Sequence, residues 1–214
     1  MILTNPNGID DIQTIVSWWG VDIGDGTIID PSSSMAPHQD TPVVPYSRNY
    51  FYLSQVYFPG AVAIIPQATD DSSVITVNPM VVTTASAWMD KNFSADTDPV
   101  FDSATEKMEM LYIGALIAAP SLTSTDRYIR LAVIGDSDFA SNDNYVNGNN
   151  GDLFLNTVNW LAEETSLISI HRNVQPFRRL VLNQSQTNFI QYSSIGLIPF
   201  LMVVIAGVIW WRRR

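Results

Sequence analysis

The C-terminal end of the chain, residues 193–214, constrains the possible folds more than any other segment. Residues 195–211 carry no charge, and a helix of that length extends about 26 Å, close to the roughly 30 Å of a bilayer core. Two tryptophans then stand where an interfacial aromatic belt belongs, and three arginines follow them. The pattern predicts a transmembrane helix over residues 193–211 and a basic cytoplasmic tail over 212–214. Its anchoring residues would be Ile195, Pro199, Trp210, Trp211, Arg212, Arg213 and Arg214.

The distribution of charge predicts the orientation of that helix. All 21 acidic residues lie at or before Glu164, whereas six of the 11 basic residues lie in the last 50 positions. Basic residues near a span stay in the cytoplasm. We therefore expect a single-pass protein of the cell membrane, with its bulk extracytoplasmic and its C-terminus cytoplasmic.

The N-terminus conflicts with this topology, because residues 1–6 form no export signal. Two explanations stay open. The chain is tail-anchored and breaks the charge rule, or it is the C-terminal part of a longer ectodomain whose first span precedes Met1. We favour the second explanation, since the start also resembles the end of a strand.

Composition excludes several kinds of function. The chain has no cysteine, which removes disulfides, catalytic thiols and thiolate metal sites. Two isolated histidines give no zinc signature, and no phosphate-binding P-loop is present. A net charge of −10 argues against nucleic acid. The same negative charge favours contact of the domain with a partner protein over contact with anionic lipid headgroups. Membrane lipid would be the partner of the terminal helix.

Hydrophobic periodicity divides the chain into a domain over residues 1–165, a juxtamembrane stalk over 166–192, and the terminal helix. Helices are predicted over residues 10–19 and 152–164, the second with Asp152 as its N-cap. Continuous apolar runs predict buried strands at residues 60–65, 80–84, 110–119 and 129–134. A β-like piece at 177–182 falls within the stalk. Strands and amphipathic helices in this order favour an α/β fold.

Residues 32–58 are rich in proline, serine and tyrosine without a clear period, so we expect a long loop there. It contains an aromatic cluster for which two roles stay open. The rings could form a recognition surface, or, as we favour, pack the loop onto the sheet. The cluster comprises Tyr46, Tyr50, Phe51, Tyr52, Tyr57 and Phe58.

The sharpest candidate site is the segment 135–139, at the C-terminal end of a strand predicted to be parallel. Open α/β sheets place their ligands there. Asp136, Ser137 and Asp138 are the candidate ligand or partner contacts. Two further interpretations stay open: a turn capped by Asp136 and Ser137, which we favour, and a calcium site. The calcium ligands would be Asp136, Asp138, Asp143 and Asp152, with Asn142 and Asn144 supplying further oxygens.

A calcium or ligand site would make the chain a membrane-tethered binding module. Another class of function is an anchored hydrolase, with Ser137 as its nucleophile. Serine needs a base within hydrogen-bond reach, and the only histidines are His38 and His171. Neither lies in a catalytic context, and no nucleophile-elbow motif occurs. We therefore expect no enzymatic activity.

Residues 130–142, followed by 149–161, a stalk and terminal arginines, resemble the GldG-like auxiliary components of ABC transport systems, named for gliding motility. Residues 58–61 and 82–88 are compatible with the resemblance, which covers most of the chain. It implies a flavodoxin-like, glutamine-amidotransferase-like three-layer sandwich that lacks the catalytic cysteine. It also implies a non-enzymatic, extracytoplasmic subunit without a cofactor. Its partners would be the ABC permease and ATPase, both separate chains.

Overall fold

The structure is a computed structural model that describes residues 1–6, 10–67, 74–121, 128–163 and 184–213. Its strands are β1 (Ile2–Leu3), β2 (Val21–Ile23), β3 (Thr27–Ile29), β4 (Ser34–Met35), β5 (His38–Pro45), β6 (Gln55–Tyr57), β7 (Ile64–Pro66), β8 (Thr76–Val82), β9 (Trp88–Asp90), β10 (Tyr112–Pro120) and β11 (Tyr128–Ile134). Its α-helices are α1 (Asp10–Ser17), α2 (Asn150–Leu161), α3 (Gln184–Tyr192) and α4 (Ile198–Arg212). The arrangement is rich in β-structure.

A four-stranded sheet in the order β1-β11-β10-β8 forms the centre of the fold. β10 runs antiparallel to β11 and to β8, and only the short β1 pairs in parallel with β11. β10 and β11 are the apolar runs predicted as strands, and alternate residues point to opposite faces of the sheet. Leu116 and Ala132 therefore lie in one core, and Ala115 and Val133 in the other.

Both faces of this sheet are covered. On one face, Val16 of α1 packs with Val21 of β2 and Ile64 of β7. On the other face, Phe139 and Leu153 of the α2 side pack with Phe58, which follows β6. β2 pairs with β7, β3 with β9, and β4, β5 and β6 form a separate three-stranded sheet.

The predicted flavodoxin-like, glutamine-amidotransferase-like three-layer sandwich is wrong. That fold has a parallel sheet joined by helical crossovers, whereas the pairing here is mostly antiparallel and is divided among small sheets. β11 is not a strand of a parallel sheet, because its longer neighbour β10 runs in the opposite direction. Apolar runs identify buried strands without fixing their direction, which is why the sequence pattern misled.

The predicted long loop over residues 32–58 is also wrong. It contains β4, β5, β6 and a 3-10 helix at Tyr46–Arg48. Pro42 and Pro45 lie on β5 and obscure it in the sequence, because proline donates no ladder hydrogen bond. Their carbonyl groups still accept bonds, from the Phe58 amide at 3.1 Å and the Asn49 side chain at 2.9 Å.

The predicted strand at residues 60–65 is only partly formed, since β7 begins at Ile64. The segment before it is nevertheless buried. Its backbone bonds reach several different segments, as in the bond from the Val62 amide to the Gly135 carbonyl at 2.6 Å and that from the Gly24 amide to the Ala63 carbonyl at 2.7 Å.

The helix predicted over residues 152–164 begins earlier and ends earlier, as α2. Asp152 is not its N-cap; Asn149 takes that position and Asp152 lies in the first turn. The Asn149 side chain donates to Asp152 Oδ2 at 2.9 Å. The negative charge of Asp152 is still well placed, since it lies at the positive end of the helix dipole.

The predicted transmembrane helix, and with it the single-pass cell-membrane location, is not supported. Among the described residues, no helix combines the length and the apolar character needed to cross a membrane. α4 has 15 residues, which extend about 22 Å. It is separated from the polar α3 by a π-helical stretch, Ser193–Leu197. Residues 166–183 of the predicted stalk, which include the β-like piece at 177–182, lie outside the described residues, as does Arg214.

Candidate functional site

The block 130–161 folds as one unit: β11, a turn with a 3-10 helix at Asp138–Ala140, a loop, and α2. Gly135 ends the strand at a close crossing with the segment before β7. A Cβ atom on Gly135 would lie 1.9 Å from the Val62 carbonyl oxygen. Only glycine fits there, so the chain leaves the sheet at a fixed position, and Asp136 follows directly.

Asp136 is fully buried, with no exposed surface. Its Oδ1 accepts hydrogen bonds from the backbone amides of Asp138 at 2.6 Å and Phe139 at 3.2 Å. Its Oδ2 has no partner within the described part of the chain. Asp136 is therefore a cap on the turn, as one interpretation of the sequence predicted, with one oxygen left over.

Burial raises the pKa of Asp136 to about 8, because a carboxylate loses its hydration there. The two backbone hydrogen bonds oppose the rise, and the charge of Asp138 adds to it. A pKa of that size leaves the carboxyl group mostly protonated at neutral pH.

Ser137 and Asp138 are placed differently from Asp136. The Ser137 backbone amide donates to Asn5 Oδ1 at 2.7 Å, which fastens the turn to the segment after β1. Within the described residues the Ser137 hydroxyl makes no hydrogen bond to a histidine. His38 is exposed on β5 beside Asp40, and His171 lies outside the described residues. Asp138 is exposed.

The carboxylates proposed for calcium do not converge. Asp143 is exposed in the loop, and Asp152 is held by Asn149 at the start of α2. Across the parts of the chain that are described, no three His, Cys, Asp or Glu side chains form a group suited to a metal ion. Asn144, the predicted extra ligand, donates to the Asp138 carbonyl at 3.1 Å.

Asn149 and Asn150 are the structurally decisive polar residues of the block. The Asn150 side chain is fully buried, and its Nδ2 donates to the backbone carbonyls of Tyr57, Phe139 and Asn144, each at 3.1 Å. Its Oδ1 accepts from the Tyr57 amide at 2.9 Å. The sequence prediction placed the N-cap at Asp152 and so missed Asn149. Asparagine directly before an amphipathic helix is itself an N-cap signal.

The same stretch clamps the start of β6. The Asn149 amide donates to the Gln55 carbonyl at 2.8 Å, and Asn149 Oδ1 accepts from the Ser54 hydroxyl at 2.6 Å. Gly148 has a φ of +52°, and a Cβ atom there would lie 2.7 Å from the Gln55 carbonyl oxygen. The Asn/Gly-rich segment over residues 142–151 thus acts as a bracket that holds β6. Its composition does not predict this role.

The aromatic cluster, whose members lie before, in and directly after β6, has two parts. Phe51, Tyr57 and Phe58 are buried, as the packing interpretation predicted. The other three rings are exposed, as the recognition interpretation requires; they are Tyr46, Tyr50 and Tyr52, at 57%, 48% and 61%. We call residues 46–54 the tyrosine loop. The bracket of Asn149 and Asn150 holds its C-terminal end.

An ion pair between the half-buried Arg48 and the buried Asp30 holds the other end of the tyrosine loop. Asp30 accepts from the Thr84 amide at 2.8 Å and from the Thr84 hydroxyl at 2.6 Å. Arg48 Nη1 lies 3.7 Å from Asp30 Oδ2, and Arg48 Nη2 donates to Ser33 at 2.7 Å. Burial lowers the pKa of Arg48, and Asp30 opposes that shift. No sequence pattern indicates this group, because Thr84 is far from the other members in the chain.

No protein-family model matches this chain, and neither a curated protein nor a solved structure is similar to it. The resemblance to the GldG-like auxiliary components therefore stays a prediction.

Proposed function

We propose that this chain is a non-enzymatic auxiliary subunit of an ABC transport system, and that it associates with the permease and ATPase of that system. The resemblance of residues 130–161 to the GldG-like components supports the assignment. The apolar surface of the C-terminal helices is the observation that carries the association.

The C-terminal helices expose apolar side chains that an isolated helix would not keep in water. Each of these side chains is at least 43% exposed: Phe189, Ile190, Tyr192, Ile195, Phe200, Met202, Val204, Ile205, Val208, Ile209, Trp210 and Trp211. At about 100° per residue, Phe200 and Val204 lie on one side of α4 and Met202 and Ile209 on the opposite side. A helix that is apolar on opposite sides is covered by several neighbours, and surfaces of the transporter subunits would provide them.

The domain supplies no catalytic arrangement in the part that is described. Among the described residues the Ser137 hydroxyl has no hydrogen bond to a base, and Oδ1 of the buried Asp136 serves as a cap. The remaining polar residues of the block bond to backbone groups that would otherwise be unsatisfied. Residues used in this way build a scaffold, which suits a binding subunit better than an enzyme.

Affinity purification of the full-length chain in mild detergent tests the proposal. We expect an ABC permease and an ABC ATPase to be recovered with it and identified by mass spectrometry. Recovery of the chain without either subunit would contradict the proposal.

Two matched variants test whether the apolar helix makes the association. Ile205→Glu places a charge on α4, where burial of a charge is costly, and we expect both subunits to be lost. Gln191→Glu adds the same charge to α3, where the side chain is already polar and exposed, and should leave the association intact. Equal loss in both variants would show that charge alone disrupts it.

A further inference from the structure

The tyrosine loop is a rigid element rather than a mobile one. Its centre is Asn49, which is buried and donates from Nδ2 to the carbonyls of Pro45 at 2.9 Å and Leu53 at 2.8 Å. Asn49 Oδ1 accepts from the Leu53 amide at 2.8 Å, and the Tyr50 amide donates to Met80 of β8 at 2.7 Å. The loop is therefore tied within itself and to the central sheet.

This scaffold turns three aromatic rings outward. The rings of Tyr46 and Tyr52 have centroids 5.1 Å apart, and Tyr50 packs edge-on against the buried Phe51. Tyr52 has a φ of 55°, a left-handed conformation that costs energy for a residue with a Cβ atom. Such outliers persist where the surroundings hold them, often at binding sites.

Exposed tyrosines on a rigid loop are suited to binding. Tyrosine offers a large flat contact area and a polar hydroxyl at a small cost in side-chain entropy. Aromatic residues are also enriched among those that contribute most to protein interfaces. Pre-organisation lowers the entropy lost on binding, and the contacts of Asn49 provide it here.

Charge indicates what kind of partner the loop would meet. Residues 1–164 carry all 21 acidic residues and only five basic ones, a formal charge of −16. The one charged side chain of the loop, Arg48, is turned inward towards Asp30 and Ser33. An acidic domain attracts cationic partners over long range, and arginine guanidinium groups stack on aromatic faces.

We infer that Tyr46, Tyr50 and Tyr52 form a docking surface for an arginine-bearing polypeptide segment of a partner protein. The partner's guanidinium groups stack on the rings, and the acidic domain attracts the segment. This inference is independent of the proposed transporter association, because it concerns a different surface and a different test.

The test uses the full-length chain in non-ionic detergent and nona-arginine as the probe, with binding measured by calorimetry. The triple variant Tyr46→Ser/Tyr50→Ser/Tyr52→Ser keeps the net charge, so long-range attraction is unchanged. We expect it to bind nona-arginine roughly tenfold more weakly or worse. Tyr128→Ser is the matched control, because Tyr128 is 58% exposed on β11, outside the loop, and should bind as the wild type does.

Three results would overturn the inference. In the first, the wild type does not bind nona-arginine. In the second, the wild type and the triple variant bind it equally. In the third, the wild type binds the neutral sugar cellohexaose and the triple variant does not. The last result would assign the rings to carbohydrate. Thermal unfolding checks that the triple variant folds; if it does not, Tyr46→Ser alone, which removes one exposed ring, carries the comparison.

Discussion

Asp136 shows how burial changes the chemistry of a single residue. In the sequence it is one of several aspartates in a polar turn, where the cap interpretation was favoured and a calcium-binding role stayed open. In the structure it lies directly after Gly135, whose contact with Val62 draws the turn into the core. Its carboxyl group is neutral for most of the physiological pH range because burial raises its pKa to about 8. The sequence could indicate the cap but not the burial, which depends on a segment more than 70 positions away.

The raised pKa of Asp136 has a consequence for stability. The unfolded chain releases this proton near the ordinary pKa of 3.8, whereas the folded chain keeps it until about 8. Because the folded state then holds the extra proton, stability is fully present below pH 3.8 and falls as the pH rises towards 8. We expect the Asp136→Asn variant, which cannot ionise, to lose this slope. Urea unfolding at a series of pH values measures it.

Asp138→Asn is the control for that experiment, because Asp138 is an exposed aspartate two positions away. It removes the like charge beside Asp136 but leaves the buried carboxyl group in place. The slope should persist in Asp138→Asn. If the free energy of unfolding changes between pH 4 and 8 by the same amount in the wild type and in Asp136→Asn, the raised pKa of Asp136 is contradicted.

At the scale of elements, the sequence predicted what depends on local pattern. The apolar runs of β10 and β11 and the periodic positions of α1 and α2 were identified, with bounds that differ by a few residues. The direction of the strands and the sheet formed by β4, β5 and β6 were not predicted. Proline-bearing strands lack a clear alternation, and direction depends on which segments meet in space. The bracket residues Asn149 and Asn150 were not predicted either, because their role depends on contacts with Ser54 and Tyr57, which are far away in the chain.

The crossing of β11 with the segment before β7 predicts the effect of Gly135→Ala. The added methyl group would overlap the Val62 carbonyl oxygen, which is backbone and cannot move aside cheaply. We expect a loss at or above the upper end of the roughly 1–3 kcal/mol that overpacking costs, measured by urea unfolding. Ser137→Ala, which removes a hydroxyl group with no hydrogen bond in the described structure, should change stability by less than about 0.5 kcal/mol. Equal effects of the two substitutions would refute the close crossing.

At the scale of the whole molecule, the block 130–161 connects three regions. Asn5 reaches its first turn from the N-terminal strand, Asn149 and Asn150 bind β6, and Leu153 enters the core beneath Phe58. The tyrosine loop lies directly before β6 and is held from the other side by Arg48. Asn149 and Asn150, rather than the predicted ligand residues at 136–138, therefore hold the base of the tyrosine loop.

Amide hydrogen exchange in the Asn150→Ala variant tests this scaffold role most directly. The substitution removes four hydrogen bonds, one of them to the Tyr57 amide, and leaves buried groups unpaired at a cost of about 2 kcal/mol or more. We predict faster exchange at Tyr57 and through the tyrosine loop, with β10 still protected. Asn147→Ala, which removes a single bond to Asn144, should leave the exchange at Tyr57 unchanged. Unaltered protection of Tyr57 and the tyrosine loop in Asn150→Ala would contradict the account.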